Sequence, residues 1–256
     1  MRGLSIVTLS AALAAALGAP IAAAETVRVF AAASLTEAFR EVAALYEQQH
    51  ASDTVELNFA GSQVLRTQIE QGAAADVFAS SDLVHADALV AAGLLGPHRV
   101  FARNRLVVVV PAVSPKVSRL QDVARPGVKV IVAGPTVPVG RYTAQVLAKL
   151  GSAGLYGDDF QGRVQANVVS QETNVRAVLA KVALGEADAG VVYVTDAATA
   201  VQKVRTIDIP ERYNIVAEYP IGRVTKSDAA AQAKAFVDLV LGPDGQAILR
   251  KYGFAQ

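Results

Sequence analysis

Along this chain, short apolar runs alternate with stretches whose apolar residues recur every three or four positions. Val27-Arg28-Val29-Phe30 alternates in the manner of a strand, and behind it Leu35, Ala38, Phe39, Val42, Leu45 and Tyr46 fall on one helix face. The unit repeats. Val55-Glu56-Leu57-Asn58-Phe59 predicts a strand, and Leu65 and Ile69 the inner face of the next helix. Asp76-Val77-Phe78-Ala79 predicts a third strand, and Ser81-Asp82 caps a helix that ends near Gly93. Leu106 to Val110 is wholly apolar, which suits a strand buried on both faces. Lys129 to Ala133, Val164 to Val169 and Gly190 to Tyr193 predict further strands. Helices are expected from Gly140 to Leu150 and around Val175, Val178, Leu179 and Val182, the second stopping at Gly185. Val204 to Ile209 and Ile215 to Val224 read as extended. Ala229 to Leu241 reads as a helix broken at Gly242-Pro243, with a last short helix before Tyr252.

Strands that alternate with helices predict an α/β protein with mostly parallel sheets. The pattern yields about nine strands, many for one sheet with short loops, so two lobes are expected. A crossing at Arg103-Asn104-Arg105 and a return between Ile209 and Val216 would make residues 25–103 and 210–256 lobe I and residues 104–209 lobe II. Residues 1–24 read as a secretory signal: Arg2, an uncharged stretch from Leu4 to Leu17, the breakers Gly18 and Pro20, and Ala22-Ala23-Ala24 for a peptidase that cuts before Glu25. The apolar stretch is short for a membrane span of about 20 residues. A cleaved signal without disulfides suits a bacterial periplasm.

Composition narrows the chemistry. The 24 basic and 23 acidic residues include Arg2, so the mature chain is formally neutral, which argues against nucleic acid as a partner. The absence of cysteine excludes disulfides, thiolate metal sites, a cysteine nucleophile and a lipidated N-terminal cysteine. His50, His85 and His98 are too scattered to predict a metal site. Gly61-Ser62-Gln63-Val64 lacks the second glycine of a nucleophile elbow, and neither a phosphate-binding loop nor a dinucleotide fingerprint is present. Asp158-Asp159 reads as a solvated turn. No catalytic residue is predicted.

Four strand-to-helix junctions stand out instead: Ala33-Ser34, Gly61-Ser62, Val139-Gly140 and Asn174-Val175. In parallel α/β lobes such junctions lie where ligands bind. Each helix start offers free backbone N–H groups and the positive end of a dipole, so converging starts make an anion site without lysine or arginine. Taken singly, Ser34 and Ser62 read as N-caps, Val175 as core, Tyr193 as a buried strand aromatic and Arg141 as a solvated helix residue. Their joint occurrence gives them meaning.

In the order of these segments, the chain resembles the molybdate-binding periplasmic proteins of ABC importers from Val27 to Phe254. The similar segments are Val29-Phe30-Ala31-Ala32-Ala33-Ser34-Leu35, Phe59-Ala60-Gly61-Ser62, Gln68-Ile69-Glu70-Gln71-Gly72-Ala73 with Ala75-Asp76-Val77-Phe78, Val137-Pro138-Val139-Gly140-Arg141-Tyr142, Asn174-Val175-Arg176 and Gly190-Val191-Val192-Tyr193-Val194-Thr195-Asp196-Ala197. Val139 stands where the family has alanine, which keeps a main-chain donor but enlarges the side chain. The resemblance implies a two-lobed periplasmic-binding-protein fold with a hinge, which closes on molybdate or tungstate and delivers it to a membrane permease. It implies contacts to the molybdate oxygens, not to the metal, from Ser34 and Ser62 (hydroxyl and N–H), Val139 and Val175 (N–H) and Tyr193 (hydroxyl). It implies a monomer with no cofactor and no enzymatic activity. Such a donor-only site suits a fully deprotonated dianion, because a protonated oxyanion would bring a proton that nothing accepts. Sulfate would then be rejected by size alone, and nothing in the residues separates molybdate from tungstate. A binding protein for another oxyanion such as sulfate, a secreted α/β hydrolase and a cytoplasmic regulator with a similar sensor domain are the competing readings.

Overall fold

In the computed structural model, which describes residues 25–256, the alternation becomes a chain of strand–helix units. The signal expected at residues 1–24 lies outside the described residues. Three units come first: β1 (Thr26–Ala32) and α1 (Thr36–Gln49), β2 (Thr54–Ala60) and α2 (Ser62–Glu70), β3 (Val77–Ala79) and α3 (Leu83–Ala91). β4 (Arg99–Pro111) follows, 13 residues long. The alternation continues through β5 (Val130–Ala133), α4 (Pro138–Ser152), α5 (Phe160–Ala166), β6 (Val168–Glu172), α6 (Val175–Ala183), β7 (Ala189–Tyr193), α7 (Val194–Ala198) and β8 (Val204–Asp208). β9 (Val216–Arg223), α8 (Ala230–Leu241) and α9 (Pro243–Lys251) complete it.

The strands run in the order β2-β1-β3-β9-β4-β7-β5-β6, with β8 also on β4. β1 pairs in parallel with β2 and β3, and β5 with β6 and β7, as strand–helix–strand units require. The antiparallel pairs all involve β4 or β9. β4 changes partners in mid-strand: Arg105 faces Val216 of β9, and Leu106 faces Tyr193 of β7. In its first half, Arg99 to Arg105, the apolar run is only the three residues Val100-Phe101-Ala102, too short to read as a strand in the sequence. It is a strand because β9 supplies a ladder, reinforced by Arg103, whose guanidinium donates to Glu218 at 3.1 Å.

The predicted helix face of α1 is buried through Ala38, Phe39, Val42, Ala43 and Tyr46, and Val107 to Val110 are buried as an apolar run demands. A fully buried Phe39 or Leu65 contributes about 1.5–3 kcal/mol by leaving water. One apolar cluster continues through both halves of the sheet, and a smaller one lies under α2 and α3.

One expected strand is corrected. Val164 is not extended but lies in α5, and the strand begins at Val168. The Asp159 carboxylate accepts the Gly162 N–H at 3.2 Å and so starts a helix, and Phe160 and Val164, four residues apart, are the side chains it buries. α4 also begins earlier and ends later than expected, at Pro138 and Ser152. Among the described residues no helix is long and apolar enough to cross a membrane.

Candidate functional site

Each of the parallel strands β1, β2, β5 and β6 is followed, after no more than four intervening residues, by a helical turn. After β1 the chain makes one 3-10 turn, Ala33–Leu35, which places Ser34. After β2, Gly61 is the extended N-cap and Ser62 the first residue of α2. After β5, Val137 caps α4 and Pro138 takes the first position, where its missing N–H has no intrahelical role, so Val139 follows in the first turn. After β6, the Asn174 side chain accepts the Ala177 N–H at 3.0 Å and caps α6, leaving Val175 as its first residue. The side chains of Val139 and Val175 pack into the core, while first-turn N–H groups have no acceptor within their own helix.

These turns converge. Ser34, Ser62, Val139, Val175 and Tyr193, five residues spread over the chain, are among those that line one small cavity. Tyr193 comes from the end of β7. The lining contains no arginine, lysine, aspartate or glutamate.

The hydroxyls are buried and specifically placed. Ser62 Oγ accepts the Ser81 N–H at 3.1 Å and lies 3.2 Å from Ser81 Oγ. Ser34 Oγ lies 3.1 Å from Tyr219 Oη. Tyr193 Oη is buried with no hydrogen-bond partner. Burial above all, and the neighbouring Tyr219, hold the Tyr193 pKa well above the ordinary phenol value, although the nearby Ser81 hydroxyl opposes the shift, so it stays protonated. A buried hydroxyl without a partner is uncommon, and one that faces a cavity marks a place for an acceptor.

Around the rim, charged groups join elements from distant parts of the chain. Arg141 of α4 donates to the Asp82 carboxylate, which also accepts the His85 N–H at 3.0 Å and so caps α3. Arg141 is therefore neither freely solvated nor part of the lining. His85 Nε2 lies 3.0 Å from the carbonyl oxygen of Thr136, and Gln63 donates to the carbonyl of Thr173 at 2.7 Å. Burial pushes the His85 pKa down, although Asp82 opposes the shift. On the far side Arg176 of α6 donates to Glu37 of α1 and lies 2.5 Å from the wholly buried Asp196. Burial alone would raise the Glu37 pKa, but the hydrogen bond and charge of Arg176 hold it below the usual range. Asp196 is pushed up to about 6 by burial, which Arg176 only partly offsets. Gly61 lies so close to Thr173 that a Cβ there would overlap its carbonyl oxygen.

Sequence reasoning missed Ser81, Tyr219 and Asn104. Ser81 was legible only as part of a cap, and Tyr219 and Asn104 sit in strands with no local signal of a site. Among the described residues no histidine is hydrogen-bonded to Ser34 or Ser62, and no group of three acidic or histidine side chains could hold a metal ion. The arrangement can surround a small acceptor-rich solute with donors.

The profile of the bacterial extracellular solute-binding protein family matches residues 27–255. The molybdate-binding protein ModA of Mycobacterium tuberculosis is 39% identical over 239 residues, 93% of this chain and 87% of that protein. The molybdate-binding protein ModA of Escherichia coli is 32% identical over 237 residues, 89% of this chain and 88% of that protein. The solved periplasmic molybdate-binding protein of Azotobacter vinelandii superposes with a TM-score of 0.76 at 22% identity, over 90% of this chain and 99% of that one, a likeness of fold.

Proposed function

The chain belongs to the bacterial extracellular solute-binding protein family, and from that premise we propose that it captures molybdate, and tungstate with it, between two lobes and hands it to the membrane permease of an ABC importer. The observation that carries this reading is the cavity at which four strand-to-helix turns meet, lined by hydroxyls and first-turn amides without a charged side chain. Ser34 and Ser62 donate through hydroxyl and N–H, Val139 and Val175 through N–H, and Tyr193 through the hydroxyl that otherwise has no partner. Hydrogen bonds to an ionised acceptor are about twice as strong as neutral ones, so neutral donors suffice to hold a dianion. These groups contact oxygens, and no cofactor or catalytic step is involved.

In this reading lobe I comprises residues 25–103 and 210–256 and lobe II residues 104–209, with the hinge where β4 changes partners and β9 returns. The mature protein is a periplasmic monomer released from the signal at 1–24. Titration calorimetry with molybdate, tungstate, sulfate and phosphate tests it. Molybdate and tungstate bind tightly and phosphate weakly. Phosphate bound as tightly as molybdate at neutral pH, or sulfate preferred to both, overturns it. Closure also requires that the ligand prefer the closed form, so saturation with molybdate lowers the radius of gyration.

A further inference from the structure

We propose that Tyr219, held by Asn104, is a positioning residue that fixes the Ser34 hydroxyl as a donor into the cavity and thereby selects the protonation state of the bound oxyanion. The proposal rests on the anion-binding reading above.

It follows from counting protons through a buried chain of polar groups. Asn104 lies on β4 beside the point where that strand changes partners. Its Oδ1 accepts the Arg105 N–H at 2.9 Å. Exchanging the oxygen and nitrogen of the amide would set N–H against N–H, so Nδ2 must face the other way. There it donates to Thr195 Oγ1 at 2.8 Å and, at 3.5 Å, to Tyr219 Oη. Tyr219 is wholly buried, so its own proton needs a protein acceptor. Of the two groups within hydrogen-bonding distance of its hydroxyl, Asn104 Nδ2 can only donate. The remaining one is Ser34 Oγ at 3.1 Å. The pair can share only one proton, so Tyr219 gives and Ser34 receives. The Ser34 hydroxyl proton cannot point back at Tyr219, and Ser34 lines the cavity. The relay therefore runs from Asn104 to Tyr219 to Ser34 to the ligand.

The ring that carries this hydroxyl is locked. Tyr219 packs edge-on against Tyr193 at 5.8 Å and Phe254 at 5.4 Å between centroids. Burial first, and nearby Asp196, hold its pKa well above the ordinary phenol value, so the relay is not lost by ionisation. Ser34 then presents a proton rather than a lone pair to the site. A dianion meets a donor, whereas an oxyanion that carries a proton meets proton against proton.

Titration calorimetry of the mature chain with sodium molybdate and with inorganic phosphate at neutral pH tests this. Tyr219→Phe keeps the ring and removes the orienting proton, which frees Ser34 Oγ to rotate and accept. The ratio of molybdate to phosphate affinity then falls about tenfold, the order of one hydrogen bond to a charged group. Asn104→Asp puts an acceptor against Tyr219 Oη, draws its proton away from Ser34, and lowers the ratio in the same direction. In a Ser34→Ala background Tyr219→Phe changes the ratio no further, which a merely structural loss would not reproduce. A Tyr219→Phe protein that rejects phosphate as the wild type does, that loses both affinities equally, or that acts equally without the Ser34 hydroxyl overturns the relay. Should Tyr219→Phe fail to fold, Asn104→Asp with an unchanged ratio does the same. A wild-type protein that binds none of these anions overturns the binding reading and the relay with it. Molybdate binding with an unaltered ratio in the variants overturns the relay alone.

Discussion

Inside the cavity the polar groups are hydroxyls and backbone amides; at its rim they are arginines, carboxylates and a histidine. The two regions adjoin and share elements, since α6 contributes Val175 to one and Arg176 to the other, and α4 contributes Val139 and Arg141. The difference separates two tasks. A guanidinium in the wall would attract any anion, and a carboxylate there would accept the proton of a hydrogen-bearing one. Neutral donors choose by hydrogen-bond type instead. At the rim the charges meet each other, Arg141 with Asp82 and Arg176 with Glu37, where a paired charge adds directed contact between elements without addressing the cavity. If the comparison is right, rim substitutions change stability and closure while wall substitutions change affinity and selectivity.

The largest effect is expected at the rim. Arg176→Ala leaves Asp196 buried and Glu37 unpaired, a loss of about 3–5 kcal/mol for breaking one side of a buried pair, measured by urea unfolding. Its molybdate-to-sulfate selectivity stays that of the wild type, and a shift in selectivity would break the comparison. In the wall, Ser34→Ala and Ser62→Ala each weaken molybdate binding by about 1–3 kcal/mol with little change in unfolding, read by calorimetry. Unchanged affinity in both removes them from the site. Gly61→Ala sits between the regions. The added methyl overlaps the Thr173 carbonyl and props the cleft, at a cost of about 1–3 kcal/mol in affinity and with a radius of gyration that no longer falls on saturation.

A further effect is a pH dependence confined to the rim. Asp196 has its folded pKa raised from 3.8 to about 6, so between those values the folded protein binds the extra proton. Stability from this group is therefore greatest below that window and declines as pH rises through it. Asp196→Asn removes the decline, so the melting temperature of the variant relative to the wild type rises from pH 4 to pH 6. A constant difference over that range would contradict the assignment. Glu37, with its pKa lowered, acts in the opposite sense at more acid pH, where its stabilisation is lost.

The wall was more legible than the rim. Asn174 and Asp82 cap helices three residues ahead, and Pro138 opens α4, all within a few positions of the donors they place. Such local chemistry is written in short segments, so the strand-to-helix junctions could be read from the chain alone, whereas Val139, Val175 and Tyr193 took their roles only from the resemblance of the whole series of segments. α5 was misread because Val164 looks extended until the cap at Asp159 is weighed. The first half of β4 was unreadable because its only reason to be a strand is β9, more than a hundred residues later. The rim pairs, such as Arg141 with Asp82 and Arg176 with Glu37, join residues 59 and 139 positions apart.

By itself, the sequence determined most of the strand–helix alternation and which turns expose free amides, because these depend on neighbours in the chain; the first half of β4, which depends on β9, is the exception. The tertiary structure alone decided that Ser34, Ser62, Val139, Val175 and Tyr193 line one cavity and that Arg141 and Arg176 each find a carboxylate. It also decided the direction of the Ser34 hydroxyl, through a tyrosine 185 residues away. The physical reason is that a helix start is made by its own backbone, whereas the direction of a proton and the pairing of a charge belong to whatever group the fold brings opposite.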